Sequence, residues 1–288
     1  MQNDCQKNFR RVLSENEFLT LPGIYDCISA RIAEEAGFPA LFLSGGALAY
    51  SRLGVPDFGF LNLTEFGDVI KNITACVKIP LVADADNGFG NAIQAAYTGK
   101  IYERLGAAGL QIDDKILPSA NPNKNEIVPW ELIAPKIRAV RQNVSDEFVI
   151  IYRTCANLYD YGIEESIRRV NLAKACGADY AYVDGLRSVG EMEMLSKEAN
   201  LPLMINLNEK GFCGSLPIEQ IKKLNYSIGL FPISAMLAGA KGMMNVLGVL
   251  SKEGSTLSAR GEMVDPPTVI HNMMGQTSLV ETYGKLYR

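Results

Sequence analysis

The chain has 288 residues, 48% of them hydrophobic, with a formal net charge of −4. This suffices for a large core in a single domain spanning 1–288, and the scattered Lys and Arg form no basic stripe, which sets nucleic acid aside as a partner. The start, Met1-Gln2-Asn3-Asp4-Cys5, lacks the charged and apolar regions of a signal peptide, and no apolar stretch is long enough to span a bilayer, so a cytoplasmic protein with no membrane partner is expected.

Strand-like apolar runs occur at 21–25, 40–43, 81–83, 110–112, 148–152, 180–183, 203–205 and 228–231. Amphipathic helical segments separate them, such as 28–36 closed by Gly37 and 163–175 before Gly177. Eight βα repeats of this kind predict an α/β fold, a single (β/α)8 TIM-type barrel whose ligand site lies at the carboxyl ends of the strands. An open doubly wound sheet is the alternative, disfavoured because no Gly-rich dinucleotide turn follows the first strand. Three connections, 45–61, 113–129 and 208–216, are long and polar, and the second is expected to be a mobile lid. The apolar segment 235–250 has too broad a greasy surface for one packing side, and 251–288 reads as a C-terminal helical extension.

Two apolar runs end in paired carboxylates: Leu81-Val82-Ala83-Asp84-Ala85-Asp86-Asn87-Gly88 and Leu110-Gln111-Ile112-Asp113-Asp114-Lys115. Acids at several strand ends suit a hard divalent cation, which takes oxygen ligands and keeps waters. His271 is the only histidine, which disfavours a His-type zinc site and a His general base. The six cysteines are irregularly spaced without a CxxC pair and read as reduced, packed thiols.

The segments Pro22-Gly23-Ile24-Tyr25-Asp26, Leu43-Ser44-Gly45-Gly46, Leu53-Gly54-Val55-Pro56-Asp57, Ala83-Asp84-Ala85-Asp86-Asn87-Gly88-Phe89-Gly90, Ile112-Asp113-Asp114, Tyr152-Arg153-Thr154, Asn206-Leu207-Asn208-Glu209 and Phe231-Pro232-Ile233-Ser234 stand in a telling order. In them the chain resembles the phosphoenolpyruvate mutase and isocitrate lyase superfamily, with its 2-methylisocitrate lyase, oxaloacetate decarboxylase and phosphonopyruvate hydrolase relatives, over about residues 22–250. The resemblance implies a barrel that binds Mg²⁺, with Mn²⁺ as a substitute, and a small 2-oxo or 2-hydroxy acid. By matched position Asp84 ligates the metal, while Asp86 and Asp113 hold its waters. Ser44, Gly45 and Gly46 present hydroxyl and N–H groups to the substrate, Arg153 clamps a carboxylate, and Asp57 and Asn121 face the reacting centre. Asp184, Asn206 and Glu209 complete the substrate contacts. Relatives commonly form homotetramers with a terminal helix exchanged, for which 278–286 is available.

Departures from the pattern narrow the chemistry. The Lys-Arg-Cys-Gly-His run of the 2-methylisocitrate-type lyases is replaced by Ser119-Ala120-Asn121-Pro122-Asn123, so both proton-transfer groups are missing. Pro118 and Asn121 match the mutase lid, but Ser119 stands where its lysine would be, leaving Lys115 or Lys124 to supply that charge. Asp113 and Asp184 replace Glu, and Phe42 replaces Tyr. Asn206 and Glu209 point back to the lyase branch. Metal-assisted C–C cleavage of a dicarboxylate such as oxaloacetate fits both signals, since loss of CO₂ needs no base. The alternatives are P–C chemistry of the mutase or phosphonopyruvate hydrolase kind and a catalytically silent metabolite-binding relative.

Each residue also has a plainer reading. Asp86 and Asp114 could be caps or solvated neighbours, Arg153 a structural ion pair, and Asp57 a turn former. Cys213 lacks an adjacent base, Trp130 reads as a hydrophobic anchor, and His271 as peripheral.

Overall fold

The structure, a computed structural model, describes residues 2–117 and 126–287; Asn121 and Lys124 of the lid lie outside them. The chain divides into two compact units, Met1–Ser234 and Ala235–Arg288. In the first, α1 (Gln2–Glu15) leads into β1 (Leu19–Ile24), α2 (Cys27–Glu35), β2 (Leu41–Leu43), α3 (Gly45–Leu48), α4 (Leu63–Cys76), β3 (Leu81–Asp84), α5 (Ala92–Arg104) and β4 (Gly109–Asp113). Then follow α6 (Trp130–Arg141), β5 (Val149–Thr154), α7 (Ile163–Lys174), β6 (Tyr180–Val183), α8 (Val189–Glu198), β7 (Leu203–Asn206), α9 (Ile218–Lys223) and β8 (Tyr226–Phe231).

Every strand pairs in parallel with the next, and β1 pairs with β8 through Leu19↔Ile228 to Pro22↔Phe231, so the eight strands form a closed barrel. Closure rules out the open doubly wound sheet. The strands are apolar on both faces because both are covered. Leu21, Phe42, Val82, Ile151, Tyr182, Met204 and Leu230 fill the interior. Leu43, Leu81, Leu110, Ile150 and Val183 meet helix residues such as Phe66, Ile70, Ile133, Ile137 and Val170.

The strand ends differ from the sequence expectation in an instructive way. Asp84, Asp113, Arg153 and Asn206 lie within the hydrogen-bonded ladder rather than in loops after it. Strand pairing holds Arg153 on both sides and Asp84, Asp113 and Asn206 on one. Segment 45–61, expected as a loop, instead carries α3 and a π-helical turn, Ala49–Leu53, ended by Gly54 at φ 65°. Ser44 caps α3 by accepting from Ala47 N at 3.3 Å.

Helix α1 was not expected. Its Phe9 and Val12, one turn apart, join the interior cluster beside Leu19, Ala40, Ala108 and Val149 at the amino ends of the strands. Arg10 pins it there, donating to the Glu147 carbonyl at 3.2 Å and to Asp179 at 3.0 Å.

The second unit contains most of α10 (Ser234–Glu253), then α11 (His271–Met273) and α12 (Gln276–Tyr283). Neither α10 nor α12 has a buried side chain, and His271 is exposed. Among the described residues no helix is long and apolar enough to cross a membrane.

Candidate active site

The carboxyl ends of the strands bring the polar residues to one rim. A cavity of about 170 Å³ there is lined by Ser44, Gly46, Asp57, Asp84, Arg153 and Asn206 from the sequence expectation, together with Gln111, Tyr182 and Asn208. Strand register orders them. Asp84 is level with Gln111, and Asp113, Arg153 and Tyr182 form one row across β4, β5 and β6.

Asp84 ends β3 and is buried. Its Oδ1 accepts from Asp86 N at 3.1 Å and from Gln111 Nε2 at 3.4 Å, and its carbonyl accepts from Tyr102 Oη at 2.9 Å. A Cβ on Gly45 would stand 2.8 Å from Asp84 Oδ2, so only glycine lets the α3 backbone approach this carboxylate. One residue on, a Cβ on Gly46 would meet Asp57 Oδ2 at 3.3 Å. Asp86 adopts φ 44°, the left-handed region a non-glycine residue seldom occupies, and its carbonyl accepts from Asp113 N at 2.7 Å. Asn87 Nδ2 reaches the carbonyls of Lys115 and Leu117 at 3.2 and 3.3 Å, and buried Lys136 donates to Asn87 O at 2.8 Å. The β3 and β4 ends are thus cross-tied by backbone and amide bonds.

Charge in this corner is unbalanced. Burial, followed by Asp113, pushes the Asp84 carboxyl up to about 6, and burial and Asp84 push Asp86 well above the carboxylate range. Lys115 Nζ lies 3.7 Å from Asp113 Oδ2, which is buried and has no hydrogen-bond partner among the described residues. Burial and Arg153 oppose the Lys115 charge, but Asp113 and other acids outweigh them and its pKa rises.

Arg153 lies over the Tyr182 ring, its guanidinium carbon 5.1 Å from the centroid, and is bonded to Asp184. Asp184 also accepts from Tyr182 Oη and Gly185 N, each at 3.1 Å. Burial works against its ionisation, yet Arg153 and then Lys115 hold its carboxyl below the usual range. Arg153 Nε is buried without a partner among the described residues. A second hollow of about 650 Å³ shares Arg153, Asn206 and Asn208 with the first and extends over Arg187, Lys210 and Phe212.

These oxygens and their crowding suit a hard cation. Among the described residues no three His, Cys, Asp or Glu side chains close as a metal cage. Asp84, Asp86 and Asp113 are the residues here that could hold a hard cation together with its water.

Residues 9–246 match the family described as phosphoenolpyruvate phosphomutase. The chain belongs to that family. It is 33% identical over 257 residues to carboxyvinyl-carboxyphosphonate phosphorylmutase, chloroplastic, of Arabidopsis thaliana, covering 87% of this chain and 76% of that protein. It is 30% identical to 2,3-dimethylmalate lyase of Eubacterium barkeri, over 88% and 89% of the two chains. Among solved structures it is similar to oxaloacetate acetylhydrolase in complex with 3,3-difluorooxalacetate, with 29% identity, a TM-score of 0.88 and coverage of 98% and 96%. Phosphonopyruvate hydrolase in complex with oxalate and Mg²⁺ is 25% identical with a TM-score of 0.89, covering 98% and 99%.

This phosphoenolpyruvate phosphomutase family member gathers Ser44, Gly45, Gly46, Asp57, Asp84, Asp113, Arg153 and Asn206 around one rim. Three other expected residues do not line that cavity. Asp86 lines a neighbouring hollow with Asn87 and Leu117. Glu209 is exposed and accepts from Ser234 Oγ. Asp184 faces Arg153, so both readings of the arginine, ion pair and cavity wall, describe it.

The solvated reading of Asp114 is corrected. It is fully buried and accepts from Tyr152 Oη, Thr154 Oγ1, Cys155 N and Arg169 at 2.7–3.1 Å. Cys213 is buried and its thiol is pushed up to about 11 by burial, so it stays protonated. Trp130 packs edge-on against Tyr152, as an anchor does. Gln111 and Lys136 escaped the sequence reading. Gln111 carried a signal, for it lies two residues before Asp113 on the same strand face.

Proposed function

We propose that this protein is a lyase that cleaves a C–C bond in a small 2-oxo or 2-hydroxy dicarboxylate, with oxaloacetate as the representative substrate and Mg²⁺, or Mn²⁺ in its place, as cofactor. The observation that carries this reading is one cavity lined by both the Asp84 carboxylate and the Arg153 guanidinium, with Asp113 next to Arg153 in strand register. Such a site takes a ligand with a metal-seeking end and an anionic end. Relatives named for lyase and hydrolase reactions on dicarboxylates support the same reaction class.

Asp84, Asp86 and Asp113 would hold the cation, which supplies Lewis acidity toward the substrate's oxo oxygen. Ser44 Oγ and the first-turn N–H groups of Gly45 and Gly46, which lack partners inside a helix, bind the adjacent carboxylate. Arg153 clamps the second carboxylate, its side chain fixed by Asp184 and Tyr182. Decarboxylation then breaks the bond to that carboxylate, its electron pair moves toward the oxo oxygen, and CO₂ departs. Asp57, exposed at the mouth, relays a proton from solvent to the carbon left behind. No step requires the cysteine and histidine absent from the lid. The exposed apolar residues of α10 and α12 support self-association, for which a homotetramer is the form proposed.

The test is incubation with Mg²⁺ and, separately, oxaloacetate, phosphonopyruvate, phosphoenolpyruvate and 2-methylisocitrate, followed by NMR. Pyruvate from oxaloacetate, lost in Arg153→Met, is expected. Phosphate from phosphonopyruvate without turnover of oxaloacetate establishes P–C chemistry instead. Binding of oxalate with turnover of none identifies a silent relative, and rapid cleavage of 2-methylisocitrate refutes the argument from the lid.

A further inference from the structure

Among the described residues, the buried side-chain acceptors without a hydrogen-bond partner are Gln111 Oε1 and Asp113 Oδ2. Both belong to β4, two residues apart, and therefore lie on one face of one strand. Buried acceptors without a hydrogen-bond donor are uncommon; Lys115 Nζ, 3.7 Å from Asp113 Oδ2, is an ionic neighbour beyond hydrogen-bond reach, so both oxygens call for a source of donors.

The amide's orientation follows from its neighbour. Asp84 Oδ1 receives Gln111 Nε2 at 3.4 Å and also accepts from Asp86 N. The reverse orientation would set a carbonyl oxygen against a carboxylate oxygen, so Oε1 is turned away from Asp84. Gln111 is only 1% exposed and borders the cavity lined by Asp84 and Arg153. Its neutrality matters as much as its position. A carboxylate here would add another negative charge beside Asp84, Asp86 and Asp113, whereas an amide adds an oxygen with no repulsion.

We propose that Gln111 is a positioning residue of the cation site: its Nε2 fixes Asp84, and its Oε1, with Asp113 Oδ2, receives the O–H donors of the ion's water shell. The inference rests on the reading of a hydrated divalent cation at Asp84. It assigns to one neutral side chain two jobs that a purely structural glutamine lacks.

The test uses Mn²⁺ alone, titrated into the full chain and followed by the electron paramagnetic resonance signal of the free ion. Gln111→Met, close in size, is expected to bind Mn²⁺ about 10–100-fold more weakly, the range for loss of an outer-shell partner. Its metal-free unfolding midpoint is expected to stay close to that of wild type, since the unsatisfied oxygen and the Nε2 donor to Asp84 are removed together. Mn²⁺ affinity within twofold of wild type in a folded variant overturns the proposal. Should Gln111→Met fail to fold, Gln111→Asn, which cannot reach Asp84 and the water shell together, carries the same expectation and the same refutation. If wild type and Asp84→Asn both fail to retain Mn²⁺, the cation reading itself falls and takes this inference with it. Wild-type binding that Asp84→Asn abolishes and Gln111→Met leaves intact refutes only the role of Gln111.

Discussion

Asp113 and Asp114 are neighbours in sequence and opposites in structure. Asp113 faces the cavity side of β4 with one oxygen lacking a hydrogen-bond donor and Lys115 Nζ 3.7 Å from it, while Asp114 points outward to Tyr152, Thr154, Cys155 N and Arg169. Arg169 also donates to Val128 O at 2.9 Å, and Val128 N donates to Asp114 O at 2.6 Å, so this pair ties together both ends of the segment after β4. Removing Asp114 leaves the buried donors of Tyr152, Thr154 and Cys155 N without their acceptor and takes one of two carboxylates from Arg169, which keeps Glu165 at 2.7 Å. Asp114→Ala is therefore expected to lose about 3–5 kcal/mol in urea unfolding at pH 7. A loss under 1 kcal/mol would show that the network is dispensable. Alternation along a strand foretold the opposite faces, but nothing local in the sequence announced Arg169, which comes from α7.

Asp184 makes a pH-dependent prediction. Arg153 holds its carboxyl below the ordinary value of 3.8, so the pair's contribution is present above that value and disappears as pH falls through the lower folded-state value. Asp184→Asn is expected to be less stable than wild type by about 3 kcal/mol near neutrality. That gap should stay level down to about pH 5 and narrow below about pH 4. A gap that widens on acidification contradicts the assignment.

At the scale of elements, the βα repeats were legible because each strand is a short apolar run and helices such as α2, α5 and α7 run into a glycine, at Gly37, Gly106 and Gly177 with φ 85°, 93° and 97°. Helix α1 was less so. Among the described side chains of this helix, Phe9, Val12 and Leu13 pack against the barrel interior, too few positions to announce a helix in the sequence. Phe9 is fully buried nonetheless. Phe9→Ala is expected to cost about 3–5 kcal/mol by equilibrium unfolding, the range for a large aromatic removed from a core. An unchanged midpoint would mean that α1 is not needed to seal the barrel. The polar rim residues were legible as types at strand ends, whereas their pairings, such as Arg153 with Asp184, depend on which strands become neighbours.

At the scale of the molecule, a large apolar surface is left uncovered. On α10, Met243, Met244 and Leu247 are 58%, 73% and 58% exposed, and on α12 Leu279, Val280 and Tyr283 are each more than half exposed. Patches of this kind mark association sites. Light scattering after size exclusion is expected to give an integral multiple of the chain mass, and Met244→Lys with Leu247→Lys to shift it toward one. A wild-type monomer at micromolar concentration contradicts the expectation. The sequence showed the apolar excess of this helix; which surface covers it is not a local property.

The pairing of Leu19 with Ile228 also bears on how the protein comes into being. On the ribosome, the first strand emerges long before its partner and must wait with one side of its backbone unpaired. Synthesis halted before Tyr226 leaves two raw edges, on β1 and on β7, each able to recruit the same strand of another nascent chain. Such fragments should collect as insoluble aggregates with no residual turnover, since no smaller version of the cavity exists until the circle is complete.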